Sequence, residues 1–135
     1  MKLTTELLHE TALFIKEYYQ KQFSSDFSFH NYARAVNIVR NCNTIGAQMN
    51  LGKEELKELH LASWFLETGY AKDYYNYQTE SVKIAVKYCR ENGVDEDIIS
   101  VIEEIILSTR YPQQPVTLMA RVLCDAAMYH VAKKN

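Results

Sequence analysis

Glu67 is the carboxylate whose place in the chain invites chemistry. It closes the stretch Ala62-Ser-Trp-Phe-Leu-Glu-Thr-Gly-Tyr70, in which an apolar helix runs straight into an acid and then a glycine. Leu56, Leu59, Ala62 and Phe65 recur at three-residue steps. With Leu61 and Leu66 they form the wide apolar stripe that a central core helix needs. Gly69 suits the left-handed conformation that ends such a helix. That places Glu67 in the final turn, where the negative end of the helix dipole disfavours a carboxylate and calls for a compensating cation. The residues that follow, Tyr70 to Glu80, bring Tyr70, Tyr74, Tyr75 and Tyr77 beside Lys72 and Asp73. They read as an aromatic loop crossing the helix end, either the lip of a pocket or a segment simply packed down.

Other reactive residue types form no constellation. His9, His60 and His130 fall on separate predicted helices with no second ligand three or four residues away, so each reads as a surface or packing histidine. Cys42, Cys89 and Cys124 are odd in number, widely spaced and set in apolar helical patterns. Buried thiols in a reducing compartment explain them better than disulfides or a metal knuckle. The chain has no glycine-rich phosphate loop and no Gly-x-Ser-x-Gly elbow, and none of its cysteines has a histidine partner at motif spacing.

The elements that must position Glu67 are helical. A first helix covers residues 4 to 22, with Leu8, Ala12, Ile15 and Tyr19 on one face, and leads into Phe23-Ser-Ser-Asp-Phe-Ser-Phe29. A second begins near His30 or Asn31, carries Ile38, Cys42, Ile45 and Met49, and closes at Asn50-Leu-Gly52. The third runs from Lys53 to Thr68, its early acids favourably placed on the dipole. A fourth, capped by Thr79, covers Glu80 to Glu91 before the Asn92-Gly93 turn. Asp95 caps a fifth that ends near Thr109, Pro112 and Pro115 break the chain, and a sixth covers about Val116 to Ala132. No segment alternates with period two, so the expected architecture is an all-α, six-helix bundle forming one domain over residues 1–135.

A chain of 135 residues can remove roughly 65–70% of its unfolded surface from water without a staple. Its net charge of −2 and isoelectric point near 6.1 argue against general nucleic-acid binding. No apolar run approaches the ~20 residues of a membrane span, and the N-terminal residues lack a signal-peptide pattern. A cytoplasmic location is expected.

The order of landmarks adds a resemblance. Phe29-His-Asn-Tyr-Ala-Arg-Ala-Val36, Trp64-Phe-Leu-Glu-Thr-Gly-Tyr70, Ser108-Thr-Arg-Tyr-Pro-Gln-Gln-Pro115 and Leu123-Cys-Asp-Ala-Ala-Met-Tyr129 together resemble the HD-domain metal-dependent phosphohydrolase superfamily over nearly the full length. The resemblance implies an HD-like helical fold and a metal site, but the ligands depart from the family pattern. Arg34 stands in place of the first metal histidine, Leu66 and Glu67 in place of the His-Asp dyad, and Tyr77 near a loop histidine. Asp125 alone matches. His30 matches a histidine that looks like a proton donor in related phosphodiesterases, although capping the second helix with Asn31 explains it nearly as well.

Two carboxylates are a poor set for a divalent ion, and a permanently charged guanidinium takes both the place and the charge of that ion. Arg34 either bridges Glu67 and Asp125 in a metal-free site or points to solvent beside two separately solvated acids. The cost of a buried acid pair without a counter-charge favours the bridge. Arg110 and Lys72 resemble cations at the pocket edge that meet a phosphate, while a helix C-terminal cation and a solvated lysine explain them as well. The resulting expectation is a catalytically silent, degenerate HD-like domain used for ligand sensing or protein interaction, with no metal or cofactor. Its ligand would be a nucleotide or another phosphate-containing small molecule, or its contact a protein partner or additional domain. The alternative is an active phosphohydrolase or phosphodiesterase. There Glu67 and Asp125 hold one Mg²⁺ or Mn²⁺, His30 donates a proton, and Arg34 with Arg110 clamps a nucleotide-like phosphate ester. A third reading is a pure association module, a homodimer included, with the tyrosine loop at its interface.

Overall fold

Apolar spacing of three and four residues recurs in segment after segment, and each such segment is a helix. The computed structural model describes residues 2–23, 31–110 and 117–134. Within them lie α1 (Thr5–Gln22), α2 (Tyr32–Gln48), α3 (Lys53–Phe65), a 3₁₀ turn (Thr68–Ala71), α4 (Tyr77–Glu91), α5 (Glu96–Leu107) and α6 (Leu118–Lys134), with no strand among the described residues. His30, Pro112 and Pro115, to which the sequence assigned a proton donor and a chain break, lie outside the described residues. No helix among the described residues is long and apolar enough to cross a membrane.

Local chemistry sets the helix ends. The Thr4 hydroxyl accepts the Leu7 N–H at 3.0 Å and starts α1, and Asn31 Oδ1 accepts the Arg34 N–H at 2.9 Å and starts α2. Asn50 closes α2 in the left-handed region at φ 61°, a conformation that asparagine tolerates better than most side chains. The Glu55 carboxylate reaches back to the Gly52 N–H at 3.1 Å at the start of α3.

The third helix packs against all five others. Its second half is apolar nearly all round, which makes it the axis of the bundle: Leu59, Leu61, Ala62, Phe65 and the following Leu66 are fully buried. Phe65 meets Phe14 and Tyr88, whose rings lie 4.5 Å apart between centroids, so α1, α3 and α4 share one aromatic cluster. The Thr11 hydroxyl donates to the Leu7 carbonyl and lies 3.1 Å from the Tyr88 hydroxyl, which satisfies a polar pair in that cluster. The three cysteines are buried free thiols, and burial pushes Cys42 and Cys89 each up to about 12.

Two expected boundaries move, for one reason. The third helix ends at Phe65 rather than Thr68, and Gly69 lies inside the 3₁₀ turn without a positive φ. Its role is close approach: a Cβ there would stand 1.9 Å from the Tyr77 carbonyl and 2.6 Å from the Ser81 nitrogen. The first turn of α4 comes down onto this glycine and begins at Tyr77, three residues before the expected start. Asn76 takes the N-cap position expected for Thr79. The preceding loop is folded by Asp73, whose Oδ1 accepts the N–H groups of Tyr75 and Asn76.

The fully buried Ser81 hydroxyl joins these pieces, accepting the Gly69 N–H at 2.8 Å and donating to the Leu66 carbonyl at 2.7 Å. Ser81→Ala leaves both backbone groups buried without that partner. We expect it to cost about 1–3 kcal/mol, read as a lower urea midpoint with an unchanged slope.

Candidate functional site

Glu67 sits on the turn just beyond α3, at φ −101° and ψ 4°, and is 4% exposed. Side-chain hydroxyls hold the backbone on either side of it. Thr68 donates to the Phe65 carbonyl at 2.7 Å, Ser81 to the Leu66 carbonyl, and Tyr18 to the Thr68 carbonyl at 2.8 Å. Two carbonyls at the end of α3 and one in the following turn are thus satisfied, and the carboxylate is carried on a well-braced turn.

Arg34, in the first turn of α2, closes on that carboxylate. Its Nε donates to Oε1 at 2.8 Å and to Oε2 at 3.0 Å, and its Nη2 lies 3.5 Å from the Ala127 carbonyl of α6. The side chains are 13% and 5% exposed, so the ion pair is largely withdrawn from water. Three parts of the chain distant in sequence meet in this one guanidinium.

Tyrosines surround the pair. Burial pushes the Tyr19 phenol up, and the Glu67 charge pushes it further. Tyr70 and Tyr77 are raised in the same way, by burial first, with the Glu67 charge contributing to each. Their rings stack with centroids 3.9 Å apart. Tyr18 is pushed up to about 12 by burial and by Glu80. These phenols are therefore neutral donors at neutral pH. Among the described residues, two buried polar atoms have no hydrogen-bond partner, the Tyr19 hydroxyl and the Trp64 Nε1.

The residues singled out from the sequence divide into two groups. Arg34, Glu67 and Tyr77 are brought together. Lys72, Arg110 and Asp125 are exposed, and none of them pairs with Arg34 or Glu67. Lys72 points toward α1, its Nζ 3.5 Å from Gln22 Oε1. The expected bridge from Arg34 to Asp125 is therefore not formed. Asp125 shares the outer stripe of α6 with Leu118 and Arg121, whereas Leu123, Cys124 and Ala126 face the core. Arg34 meets α6 through a backbone carbonyl instead. Among the described residues, no three His, Cys, Asp or Glu side chains come together in a metal-binding group.

Sequence reasoning missed Tyr19 as a neighbour of Glu67. Its spacing marked it as one more core position of α1, and a core position gives no sign of which polar group the hydroxyl will approach. The histidines carry a similar lesson. His9 and His60 lie on different helices, yet the pKa of His60 is lowered, first by burial and then by the charge of His9.

Compared with protein-family models, curated proteins and solved structures, the chain has no significant match.

Arg34→Ala strands a buried carboxylate without this partner, and we expect a loss of about 3–5 kcal/mol in urea unfolding. The double replacement Arg34→Met with Glu67→Leu removes both charges and should recover most of that loss. His60 titrates lower folded than unfolded, so its contribution is fully present above the unfolded value of about 6.5. Stability should therefore fall as pH drops from there through the lowered folded value. The same titration of His60→Gln, followed by circular dichroism, should be flatter over that window.

Proposed function

We propose that this chain is a degenerate HD-like domain that is catalytically silent and works by binding, through ligand sensing or protein association. The observation that carries the reading is Arg34 held on both oxygens of Glu67. Where the resemblance implies an imidazole and an aspartate around a cation, the residues present are a cation and its own counter-ion. Leu66, at the dyad's other position, is fully buried and offers no donor atom. This donor set does not fit a divalent ion, because the carboxylate that would bind it is already neutralised and hydrogen-bonded. No hydrolytic step is assigned to these residues.

The binding role is supported by the loop next to the site. Tyr75 is 95% exposed and Tyr74 57% exposed, and their rings meet edge to face 5.6 Å apart. The Asp73 turn and the Tyr70–Tyr74 ring contact hold the loop in place. Two exposed aromatic rings presented on a braced loop cost little entropy to immobilise, which favours their use as contact residues. We assign the domain to the reducing cytoplasm, where three buried free thiols persist.

Calorimetry with Mn²⁺ and Mg²⁺ after chelator treatment tests the silent site. The wild type is expected to show no binding up to about millimolar metal, whereas a variant carrying Arg34→His, Leu66→His and Glu67→Asp gains a metal-dependent heat. Micromolar binding by the wild type would overturn the reading and make phosphatase and phosphodiesterase assays the next step.

A further inference from the structure

The outer faces of α4 and α5 carry opposite charge. Lys83, Lys87 and Arg90 project from α4 at spacings of four and three residues, all exposed. The fifth helix exposes Glu96, Asp97, Glu103 and Glu104 and has no lysine or arginine among its 12 residues. Between the two helices runs a groove of about 540 Å³, floored by Val82 and Val86 and walled by Lys83, Lys87, Arg90 and Glu103, with one acid of α4, Glu91, beside Arg90 at its end. Arg90 clamps Glu96 with bonds of 2.8 and 3.1 Å across the turn, and Lys83 and Glu103 line the same groove further along. The helices therefore run back along one another with basic and acidic positions at matching levels.

We propose that this groove docks a second copy of the chain about a twofold axis running along it. Such an axis leaves the level of each residue unchanged and exchanges the two helices across the interface. The basic stripe of α4 in one copy then lies over the acidic stripe of α5 in the other, and the match is made twice. Lys83 of each copy faces Glu103 of its partner, and the two valine floors face each other. A foreign acidic helix would satisfy the α4 stripe and leave that of α5 unmatched, so the paired charges favour a second copy. The Lys83 contact with Glu80, 3.1 Å and exposed, is weak enough to be exchanged.

The fourth helix has 15 residues and is therefore about 22 Å long, so two helices per copy give an interface at the small end of the specific range. Association is accordingly weak, and because its charges are solvated it depends on salt. This inference stands on a different surface from the Arg34–Glu67 site and does not rest on the reading of that site.

Sedimentation of the full chain across about 5–500 µM protein, at about 50 mM and 500 mM salt, reads the dimer directly. The wild type is expected to dimerise at low salt and dissociate at high salt. Lys83→Glu and Glu103→Lys should each weaken association about tenfold or more, since each homodimer then sets like charges together twice. An equimolar mixture of the two variants restores both contacts and should form a one-to-one dimer. Both positions are exposed, and circular dichroism should show unchanged helix content. A wild type that stays monomeric throughout, or a dimer insensitive to both substitutions, overturns the proposal. So does a mixture that fails to associate, or a dimer abolished by Tyr75→Ala but not by the charge reversals. Should one variant fold poorly, the response of the other, read against the wild-type salt series, decides the matter.

Discussion

A guanidinium closed on a buried carboxylate is the constraint on which the rest of the structure depends. Glu67 is carried into the interior on the turn beyond the most buried helix, and ionised acids are rarely tolerated there without a partner. Arg34 supplies the opposite charge from the first turn of α2 and extends to a carbonyl of α6. The pair therefore ties together α2, the turn beyond α3, and α6. Withdrawing two charges from water offsets much of their attraction, so the pair contributes less to net stability than to deciding which groups sit where.

The pair also depends on the turn that presents it. That turn holds Glu67 because Thr68, Ser81 and Tyr18 each satisfy a backbone carbonyl around it, and because Gly69 lets the start of α4 approach. Removing the side chain at residue 69 is what allows α4 to begin at Tyr77 and to place the Tyr77 ring against Tyr70. Neutral phenols then line the space beside the carboxylate, with pKa values raised by burial and by the same negative charge that Arg34 balances. Helix packing, loop shape and local electrostatics are linked through a few hydroxyl groups.

The interior and the exterior use charge differently. Inside, one acid and one base are matched within the chain and shielded from water. Outside, α4 and α5 leave basic and acidic stripes side by side, joined only at the Arg90–Glu96 clamp. Charges of the first kind specify a conformation. Solvated stripes of the second kind contribute little to the stability of a single copy but select what approaches it, because their fields extend over roughly a Debye length into solvent.

Six helices and the central position of α3 are legible in the order of residues alone, because apolar periodicity is local and survives whatever the neighbours are. An acid beside fully apolar positions is costly wherever the chain folds, so the need of Glu67 for a cation is legible as well, and Arg34 is a cation that pairs with it. The remaining features follow from how the helices pack. Asp125 faces outward because each helical residue turns about 100° from the last, and the rotation of α6 about its axis is set by which of its residues α2, α3 and α5 bury. The end of α3 at Phe65 depends on the descent of α4 onto Gly69, an approach between residues that spacing alone does not reveal. The position of the Tyr19 hydroxyl near Glu67, and of His9 near His60, follows from how α1 lies on the bundle. Periodicity fixes which face of a helix is buried, while the polar group opposite that face is chosen only when the helices meet.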